Sequence, residues 1–526
     1  MKFKKLTEEQ IAYIKEVHAD TDTSWVDRME TLQKFTGKDE REVRRWIQKL
    51  GFSKPVDKVS PQFEAAQNKK VDKRKKKFII TWAQNDTPVH TKFLKNLEAY
   101  AAHLKADIHV IAGRYRNPTS VFMDVKHDNW AKQVEPYLDA NRHDVHKYLS
   151  IISDIKMQPT AVNPFTGMQG ISGINSCVFG APNLQMETIP VLEGQRPKMM
   201  LTTGSCTKAN YTDSKAGKKA EFNHTIGCVV VEIQDEEIFH TRQVSATSNG
   251  DFCDLYNRVQ HVKGVSTVTK IKQIEACILG DLHVGHHDPA VIDKTFDLFK
   301  KLKPKNVILH DVFDGHSISH HELKDPIAQY HHDLDGTNSL KGEVDEMMEV
   351  LERFRTHNVT IVRSNHDDFV DRWIKNSDWR KTPSPRNSLE YMKYTALLLE
   401  RKAPHGVIPY LIKEIFPKWR TLGVSDSFKV GDWELGQHGD HGANGSRGSL
   451  LQFRKLNTKI VVGHYHSPGR KDGALAVGTS THLRVGYNIG ASGWLQSHVI
   501  IHEDGKAQHI NFIGNDTSSL QFTTLK

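Results

Sequence analysis

The pattern of apolar and polar positions divides the chain into four parts. Residues 1–52 have apolar side chains every three to four positions, which predicts short helices, whereas residues 53–77 have no period. In residues 78–270, strand-length apolar runs alternate with a helical stretch and with segments rich in Gly, Asn, Ser and Thr. In residues 271–526, strands and helices alternate more regularly. The pattern therefore predicts a multidomain α/β protein behind a small helical module.

Three helices are predicted in the first part of the chain. The first follows a capping box, Thr7-x-x-Gln10. The third, over residues 39–50, follows a Gly-containing turn and has an apolar face and an arginine face that includes Arg44 and Arg45. This arrangement is typical of a helix-turn-helix-like module and predicts that both arginines contact DNA. A small basic helical bundle that binds another protein has the same pattern.

Positive charge is concentrated at the start of the chain. Residues 1–77 contain 20 Lys and Arg against 13 Asp and Glu, while the net charge of the whole chain is +9. Residues 53–77 are expected to form a basic linker, because the block of lysines at its end repels itself and stays extended. The linker either follows a phosphate backbone or serves as a solvated hinge. The charge favours an acidic polymer as partner, with nucleic acid first.

Residues 78–270 are predicted to form a smaller α/β domain of unknown role. Strand-like runs at 78–82 and 107–112 flank a helical stretch from about residue 90 to residue 104. This is the pattern of a β-α-β unit. A further strong strand is predicted at 228–233.

Five apolar strands in residues 271–526 each end in a short cluster of Asp, Asn and His. The clusters are Asp281-Leu282-His283, His310-Asp311-Val312-Phe313-Asp314, Ser364-Asn365-His366-Asp367, His438-Gly439-Asp440 and Gly463-His464-Tyr465-His466. Sixteen of the 30 histidines lie in the same region, between residues 283 and 466. Residues just past the carboxyl ends of strands in an α/β sheet converge on one crevice, so we expect these side chains to meet.

The residue types in the clusters indicate a site for divalent metals. Asp, Asn and His are ligands for borderline or hard divalent ions. In Asp281-x-His283 and in His464-x-His466, two side chains lie on the same side of an extended segment, so each pair can bind one ion from two directions. The five cysteines are widely spaced and form no C-x-x-C pair, which supports neither a disulfide framework nor a zinc–cysteine site. A catalytic metal site is therefore favoured over a structural one.

In this order, the five clusters resemble the motifs of the calcineurin-like metallophosphoesterase superfamily: D-x-H, G-D-x-x-D, G-N-H-D/E, H-G-x and G-H-x-H. The resemblance covers residues 274–515. His310 and Ser364 depart from it, since the family usually has glycine at both positions, and altered loop geometry is expected there. The resemblance implies that residues 271–526 form a four-layer α/β-β/α metallophosphoesterase sandwich.

The resemblance also implies a centre with two divalent ions. The expected ligands of the first ion are Asp281, His283 and His466. The expected ligands of the second ion are Asn365, His438 and His464, and Asp311 is expected to bridge both ions. Such centres hold their ions about 3.5–4 Å apart and activate water at neutral pH. Mn²⁺ is the metal that the resemblance suggests, and the ligand types also admit Fe, Zn or Co.

Further residues near the motifs are expected to act on the substrate. His366 resembles the family's histidine that helps to protonate the leaving oxygen, and Asp367 is expected to orient it. His287, Asp314 and Arg447 are predicted to contact the substrate. Arg447 lies in a Gly-rich stretch, where it either binds a phosphate or is an ordinary turn residue.

The rest of the chain indicates which phosphoester is cleaved. A basic helical module, a basic linker and an extra α/β domain are unnecessary for a small-molecule phosphatase, but they suit a long anionic substrate. A DNA nuclease that hydrolyses phosphodiester bonds is therefore the favoured prediction. A phosphoprotein or nucleotide phosphatase with an N-terminal docking module is the alternative, and a non-catalytic DNA-binding protein is the second one.

Two segments also resemble a family of pre-early DNA-degrading, DNA-transfer proteins of T5-like bacteriophages. They are residues 80–90 and residues 113–120. This resemblance implies degradation of host DNA in the bacterial cytoplasm and self-assembly into a homo-oligomer. No run reaches the roughly 18 apolar residues of a membrane span, so none is expected.

Overall fold

A computed structural model provides the coordinates of the chain. It describes the following residues: 6–20, 23, 25–50, 60–72, 74–117, 120–121, 128–381, 385–486, 488–515 and 519–525. The first part of the predicted linker, residues 53–59, lies outside the described residues, as do residues 118–119 of the second phage-like segment. The described residues form a multidomain α/β protein with several mixed sheets.

Thirteen α-helices occur in the described parts of the chain. They are α1 (Glu8–Ala19), α2 (Trp25–Thr36), α3 (Glu40–Lys49), α4 (Pro61–Gln67), α5 (Thr91–Leu104), α6 (Lys215–Asn223), α7 (Pro289–Leu302), α8 (Pro326–Asp335), α9 (Leu340–Glu352), α10 (Phe369–Asn376), α11 (Ser388–Leu399), α12 (Val407–Ile415) and α13 (Leu450–Phe453). None of these helices is long and apolar enough to cross a bilayer.

The strands up to residue 270 build a five-stranded sheet, a three-stranded sheet and half of a larger one. They are β1 (Lys77–Gln84), β2 (Asp107–Gly113), β3 (Leu138–Asp139), β4 (Arg142–His146), β5 (Leu149–Ile152), β6 (Ser176–Phe179), β7 (Gln185–Ile189), β8 (Lys198–Thr202), β9 (Gly227–Ile233), β10 (Phe239–Ser245), β11 (Phe252–Asp254), β12 (Asn257–Val262) and β13 (Val265–Lys270).

The strands after residue 270 build a six-stranded sheet and complete a ten-stranded one. They are β14 (Ala276–Ile278), β15 (Asn306–His310), β16 (Val359–Val362), β17 (Arg420–Leu422), β18 (Lys429–Val430), β19 (Trp433–Glu434), β20 (Lys459–Val462), β21 (Gly469–Lys471), β22 (Ala474–Ala476), β23 (Ser497–Ile501) and β24 (Ala507–Asn511).

Helices α1 to α3 pack into a small bundle with its own core. The predicted capping box is present, since Thr7 Oγ1 accepts from the backbone of Gln10 and the Gln10 side chain accepts from the backbone of Thr7. The core consists of Ile14, Met29, Leu32, Val43 and Ile47. The arginine face of α3 is exposed, as its amphipathic pattern predicts.

Part of the expected linker is ordered against the body of the protein. Helix α4 lies within it, and the ring of Phe63 stacks on Trp130 with centroids 5.8 Å apart. The backbone of Ala140 donates to the carbonyl of Ala66 over 3.1 Å, and Lys69 Nζ donates to the carbonyl of Pro136 over 2.6 Å. The apolar residues of α4 therefore anchor the end of the linker, which the charge pattern alone did not indicate.

The predicted β-α-β unit is present. Strands β1 and β2 are parallel, α5 connects them, and the sheet order is β10-β9-β1-β2-β3. Helix α5 is amphipathic and buries Phe93, Leu97 and Tyr100, because these positions lie on one face at helical spacing.

Two sheets pack face to face in the second half of the chain. The six-stranded sheet has the order β17-β16-β15-β14-β23-β24, and β14 to β17 are parallel. Its inner face contributes Ile278, Ile308 and Val362 to a core that also contains Val461 and Leu475 of the other sheet. Helices α7 and α9 cover the opposite face of the six-stranded sheet, and α13 covers the outer face of the ten-stranded one.

The ten-stranded sheet runs across the predicted domain boundary at residue 270. Its order is β18-β19-β20-β22-β21-β7-β8-β6-β5-β4, so that five strands come from each side of that boundary. The junction is an antiparallel pair, in which Arg470 of β21 lies opposite Met186 of β7. The strands within residues 142–202 therefore belong to the same sheet as strands of the C-terminal unit.

The end of the chain adds a second connection between the halves. Glu232 of β9 is buried and accepts from Thr523 Oγ1 over 2.9 Å and from the backbone of Thr524 over 2.7 Å. Arg242, also buried, lies 2.5 Å from Glu232 and 2.7 Å from Asp254. The C-terminal segment is thus held by a buried charged group of the preceding unit.

Candidate metal centre

The five motif clusters come from strands of both facing sheets. Strands β14, β15 and β16 of the six-stranded sheet are parallel, so their carboxyl ends lie at one edge and deliver the first three clusters there. Strands β19 and β20 of the ten-stranded sheet are also parallel to each other, and the clusters at 438–440 and 463–466 follow them. The candidate site lies where these two edges meet.

A first group of three side chains gathers around one point. His466 Nε2 lies 3.1 Å from Asp281 Oδ2 and 3.0 Å from His283 Nε2. All three residues are buried. Asp281, His283, Asp311 and His466 each offer a ligand atom, and these atoms lie within 4.8 Å of one another.

A second group lies next to the first. Asn365 Oδ1 is 3.1 Å from His438 Nε2 and 3.0 Å from His464 Nδ1. These are the three residues that the sequence predicted to belong together, and they come from three different strand ends.

Asp311 connects the two groups through a single oxygen. Its Oδ2 atom lies 3.4 Å from His283 Nε2 and 3.1 Å from His438 Nε2. The structure therefore brings together all seven side chains predicted as ligands and places the predicted bridging residue between them.

The donor set fits divalent ions. The Nε2 atoms of His283 and His466 face each other at 3.0 Å. This arrangement suits two imidazoles that bind the same cation. Asp281 Oδ1 is buried and has no hydrogen-bond partner in the described residues. A buried carboxylate oxygen without a partner is costly, and a cation would compensate for it. The buried His and Asp groups can thus hold a metal ion.

Four of the seven side chains stand on backbone in the left-handed region. The φ angles are 42° at His283, 45° at Asp311, 74° at His464 and 54° at His466. Non-glycine residues seldom adopt positive φ, and such strain tends to persist where the surrounding structure fixes a functional geometry. At these positions, the backbone turns sharply after each strand, and the side chain lies in the candidate site.

The electrostatics of the cluster are those of buried carboxylates among imidazoles. Burial lowers the pKa of His283, but Asp311 and Asp314 outweigh it and raise that pKa well above the usual value. For His438, burial likewise lowers the pKa, and the charge of Asp311 with its hydrogen bond raises it to about 9. The pKa of Asp311 falls well below its usual range, since the charges of His438 and His283 outweigh the effect of burial. The carboxylates thus favour positive charge at the site.

Two neighbouring side chains orient the predicted ligands His283 and His438. Asp314 Oδ1 lies 3.2 Å from His283 Nδ1, which leaves His283 Nε2 to face His466. The carboxylate of Asp314 is buried and supports a predicted ligand, and its predicted contact with substrate stays a prediction. His310 Nδ1 lies 3.4 Å from His438 Nδ1 and plays the same part for that ring.

The two residues that depart from the family pattern are accommodated without unusual backbone. Neither His310 nor Ser364 has a positive φ, so glycine is not required at either position. Ser364 closes its loop onto Asp367, whose Oδ2 accepts from the Ser364 backbone over 3.2 Å and whose backbone donates to Ser364 Oγ over 3.3 Å.

His366 lies at the centre of the candidate site. Its Nδ1 atom lies 2.8 Å from the carbonyl oxygen of Asp314, so this nitrogen carries the proton. Its ring stacks on Phe369, with centroids 4.5 Å apart. In the described residues no hydrogen bond joins the Asp367 carboxylate to His366, and Asp367 Oδ2 accepts from the Ser364 backbone instead. The contact at His366 Nδ1 is with the Asp314 carbonyl, and the expectation that Asp367 orients His366 stays a prediction.

Burial gives these two residues opposite pKa shifts. The pKa of His366 is lowered to about 4, mainly by burial and then by the charge of His283. The pKa of Asp367 is raised to about 7, mainly by burial and then by the charge of Asp311. His366 is thus neutral near pH 7 and has Nε2 as a proton acceptor.

The other predicted substrate residues lie outside the cluster. His287 is half-buried beside Thr481, and Arg447 is exposed on its loop and has no carboxylate within 4 Å in the described residues. Arg45 is exposed on α3, while Arg44 on the same helix forms an exposed ion pair with Glu40 at 2.6 Å.

Two aromatic contacts at the centre were not predicted. The ring of Trp494 lies perpendicular to that of His466, with centroids 4.2 Å apart, and Phe369 supports His366 as described. Neither aromatic residue belongs to a strand-end cluster, so no motif pointed to either one. A search for aromatic residues within a few positions of the motifs would have found Phe369 but not Trp494.

Comparisons with known proteins give one clear relationship. No family model matches the chain. The chain is 30% identical over 473 residues to protein A1 of Escherichia phage T5, and the match covers 84% of this chain and 82% of that protein. The predicted phage relationship is therefore confirmed.

Proposed function

This chain belongs to the family of protein A1 of Escherichia phage T5, and from that premise we propose that it is a metal-dependent DNA nuclease that hydrolyses phosphodiester bonds. We propose further that residues 271–526 have the calcineurin-like metallophosphoesterase fold. The helix–sheet–sheet–helix layering of that part supports this assignment.

One observation carries the proposal. Seven Asp, Asn and His side chains from five strand ends meet in two groups, and Asp311 Oδ2 lies within 3.4 Å of a histidine of each. We assign the first ion to Asp281, His283 and His466. We assign the second ion to Asn365, His438 and His464, and Asp311 bridges both. Carboxylate, amide and imidazole ligands without cysteine suit Mn²⁺ and also admit Fe, Zn or Co.

Two such ions, when bound, would lower the pKa of water and neutralise charge that develops on a phosphoester. The residues of the chain supply the remaining functions. Asp314 and His310 hold the His283 and His438 rings in the orientation required of ligands. His366 Nδ1 donates its proton to the carbonyl of Asp314, which leaves Nε2 free. Nε2 would take up the proton released by the attacking water and give it to the leaving oxygen.

DNA is the substrate that best suits the rest of the chain. The helices α1 to α3 present Arg41 and Arg45 to solvent, and the net charge of the chain is positive. Such a surface attracts a polyanion and makes its binding depend on salt. We accordingly propose DNA as partner, in the host cytoplasm, and a homo-oligomer as the working form.

The test is incubation of the purified chain with linear and circular DNA. We expect degradation with Mn²⁺ and none with EDTA. Asp311→Asn should abolish it, and Asp293→Asn, which changes an exposed aspartate of α7, should not. If the chain hydrolyses p-nitrophenyl phosphate but leaves the DNA uncleaved, the phosphatase alternative is favoured and the proposal is overturned.

A further inference from the structure

A cleft outside the metal centre has the chemistry of a nucleic-acid site. It measures about 570 Å³ and lies between helix α12 and β17, the edge strand of the six-stranded sheet. The side chains of interest in its lining are Lys402, His405, Tyr410, Lys413, Lys418 and Arg420. The lining also contains one acidic residue, Glu414.

Three of these cations have no acidic partner. Lys413, Lys418 and Arg420 are exposed, and within the described chain none has a carboxylate oxygen within 4 Å. Lys402 differs from them, because it is paired with Glu400 at 2.6 Å. Lys413 Nζ donates to the carbonyl of Trp419, and the Arg420 guanidinium lies 4.6 Å from the centroid of the Phe428 ring, but neither contact neutralises the charge. Three cations without a carboxylate partner around one cleft create a local positive potential.

One wall of the cleft packs against Arg363. Gly406 lines the cleft with φ +103°, and a Cβ atom there would lie 3.3 Å from Arg363 Cζ and 3.0 Å from Asp371 Oδ2. Arg363 directly precedes the Ser364-Asn365 turn. The cleft therefore borders the residue that directly precedes the turn with the predicted ligand Asn365.

We propose that this cleft binds a single-stranded segment of DNA. Lys413, Lys418 and Arg420 contact phosphates, and the half-buried Tyr410 offers a ring on which a base stacks. A base can stack on that ring only when it is unpaired, which favours a single strand over a duplex. The inference rests on the proposed nuclease function and adds to it that the DNA is locally unpaired.

Binding without turnover tests the inference. The full-length chain is titrated in EDTA with a fluorescent single-stranded oligonucleotide and with a blunt duplex of the same length, at several salt concentrations. In Lys418→Gln/Arg420→Gln, log affinity for the single strand should depend less steeply on log salt, by about 0.7 for each lost phosphate contact. Tyr410→Leu should weaken single-strand binding roughly five- to a hundredfold with little change of slope.

A matched double variant controls for overall charge. Lys95→Gln/Lys219→Gln removes two exposed lysines elsewhere and should leave affinity and slope near those of the parent chain. Equal effects of the two double variants, or an unchanged slope in the cleft variant, would overturn the inference. The inference would also be overturned if the cleft variant lost binding to an acidic peptide but kept binding to DNA, because the cleft beside β17 would then bind a protein partner. Thermal unfolding shows whether each variant is folded, and since no cleavage is measured, failure here leaves the nuclease proposal standing.

Discussion

At the scale of residues, the candidate centre consists of seven side chains and of the neighbouring groups that orient them. The strand-end clusters fixed the seven candidate ligands, because the carboxyl ends of parallel strands share an edge. The contact of Asp314 with His283 and that of His310 with His438 depend on how separate loops pack. Local patterns do not contain that information. For the same reason they did not show that the carbonyl of Asp314 accepts a hydrogen bond from His366 Nδ1.

A prediction for Asp311 follows from its place between the two groups. Asp311→Ala should lose both ions, whereas His466→Ala should lose mainly one, because His466 contacts only Asp281 and His283 among the candidate ligands. Elemental analysis of the purified variants measures this, with Asp293→Ala as a control. Two tightly held ions in Asp311→Ala protein would contradict the bridging assignment.

A prediction for His366 separates chemistry from metal binding. His366→Ala should keep both ions and still bind DNA, but should lose cleavage by a factor on the order of 10²–10⁴, the usual contribution of a positioned acid–base group. The loss should be smaller for a p-nitrophenyl phosphodiester, because that leaving group needs little protonation. If the variant loses metal, or if both substrates suffer equally, the assigned role fails.

At the scale of elements, helical period and caps predicted α1 to α3 and α5. Helix α5 begins and ends within one residue of the predicted stretch, and its apolar positions lie on one face. Helix α4 was missed because proline, glutamine and asparagine flank a single turn of weak apolar pattern, and its stability comes from Trp130, far along the chain. Helix α8 was missed because it lies in a polar stretch and buries none of its residues.

A prediction for the N-terminal bundle takes α4 into account. Deleting residues 1–59 removes α1 to α3 but leaves Phe63 and Ala66 packed on the body. If the bundle binds DNA phosphates, the deletion should weaken binding and reduce its salt dependence by about 0.9 per lost contact with duplex. Fluorescence anisotropy over a salt series measures both quantities. An unchanged slope would mean that the bundle binds another partner.

At the scale of the whole molecule, the pairing of distant strands was beyond the sequence. Each strand of the ten-stranded sheet looks ordinary in its own segment, and nothing local shows that β7 pairs with β21. The predicted domain boundaries at residues 52, 77 and 270 stay predictions. Strand pairing in the ten-stranded sheet and the contact of Thr523 with Glu232 both join residues from the two sides of residue 270.

A stability prediction follows from the buried Glu232. Burial alone would raise its pKa, but the charge of Arg242 and hydrogen bonds from Thr524 and Thr523 lower it to about 2. A carboxyl group whose pKa is lower in the folded state stabilises the fold at pH values above its unfolded pKa of about 4.3. This stabilisation is lost as the pH falls from about 4.3 towards 2.

Glu232→Gln should therefore destabilise the protein at pH 7 by about 3–5 kcal/mol, because it leaves Arg242 buried with one partner fewer. The difference from the parent chain should shrink as the pH falls below about 4.3. Urea unfolding at several pH values measures it, and Glu503→Gln, a partly exposed partner of Arg258, is the control. A difference that does not depend on pH would contradict the assigned charge.

The pair formed by β7 and β21 also sets an order of events during synthesis. Residues 185–189 leave the ribosome long before residues 469–471, and at about 5–20 residues per second the interval is tens of seconds. Throughout that time β7 presents an open edge, and open edges recruit other strands. The nascent chain must therefore keep half a sheet from aggregating until its partner emerges, so a fragment that stops at residue 270 should be prone to self-association.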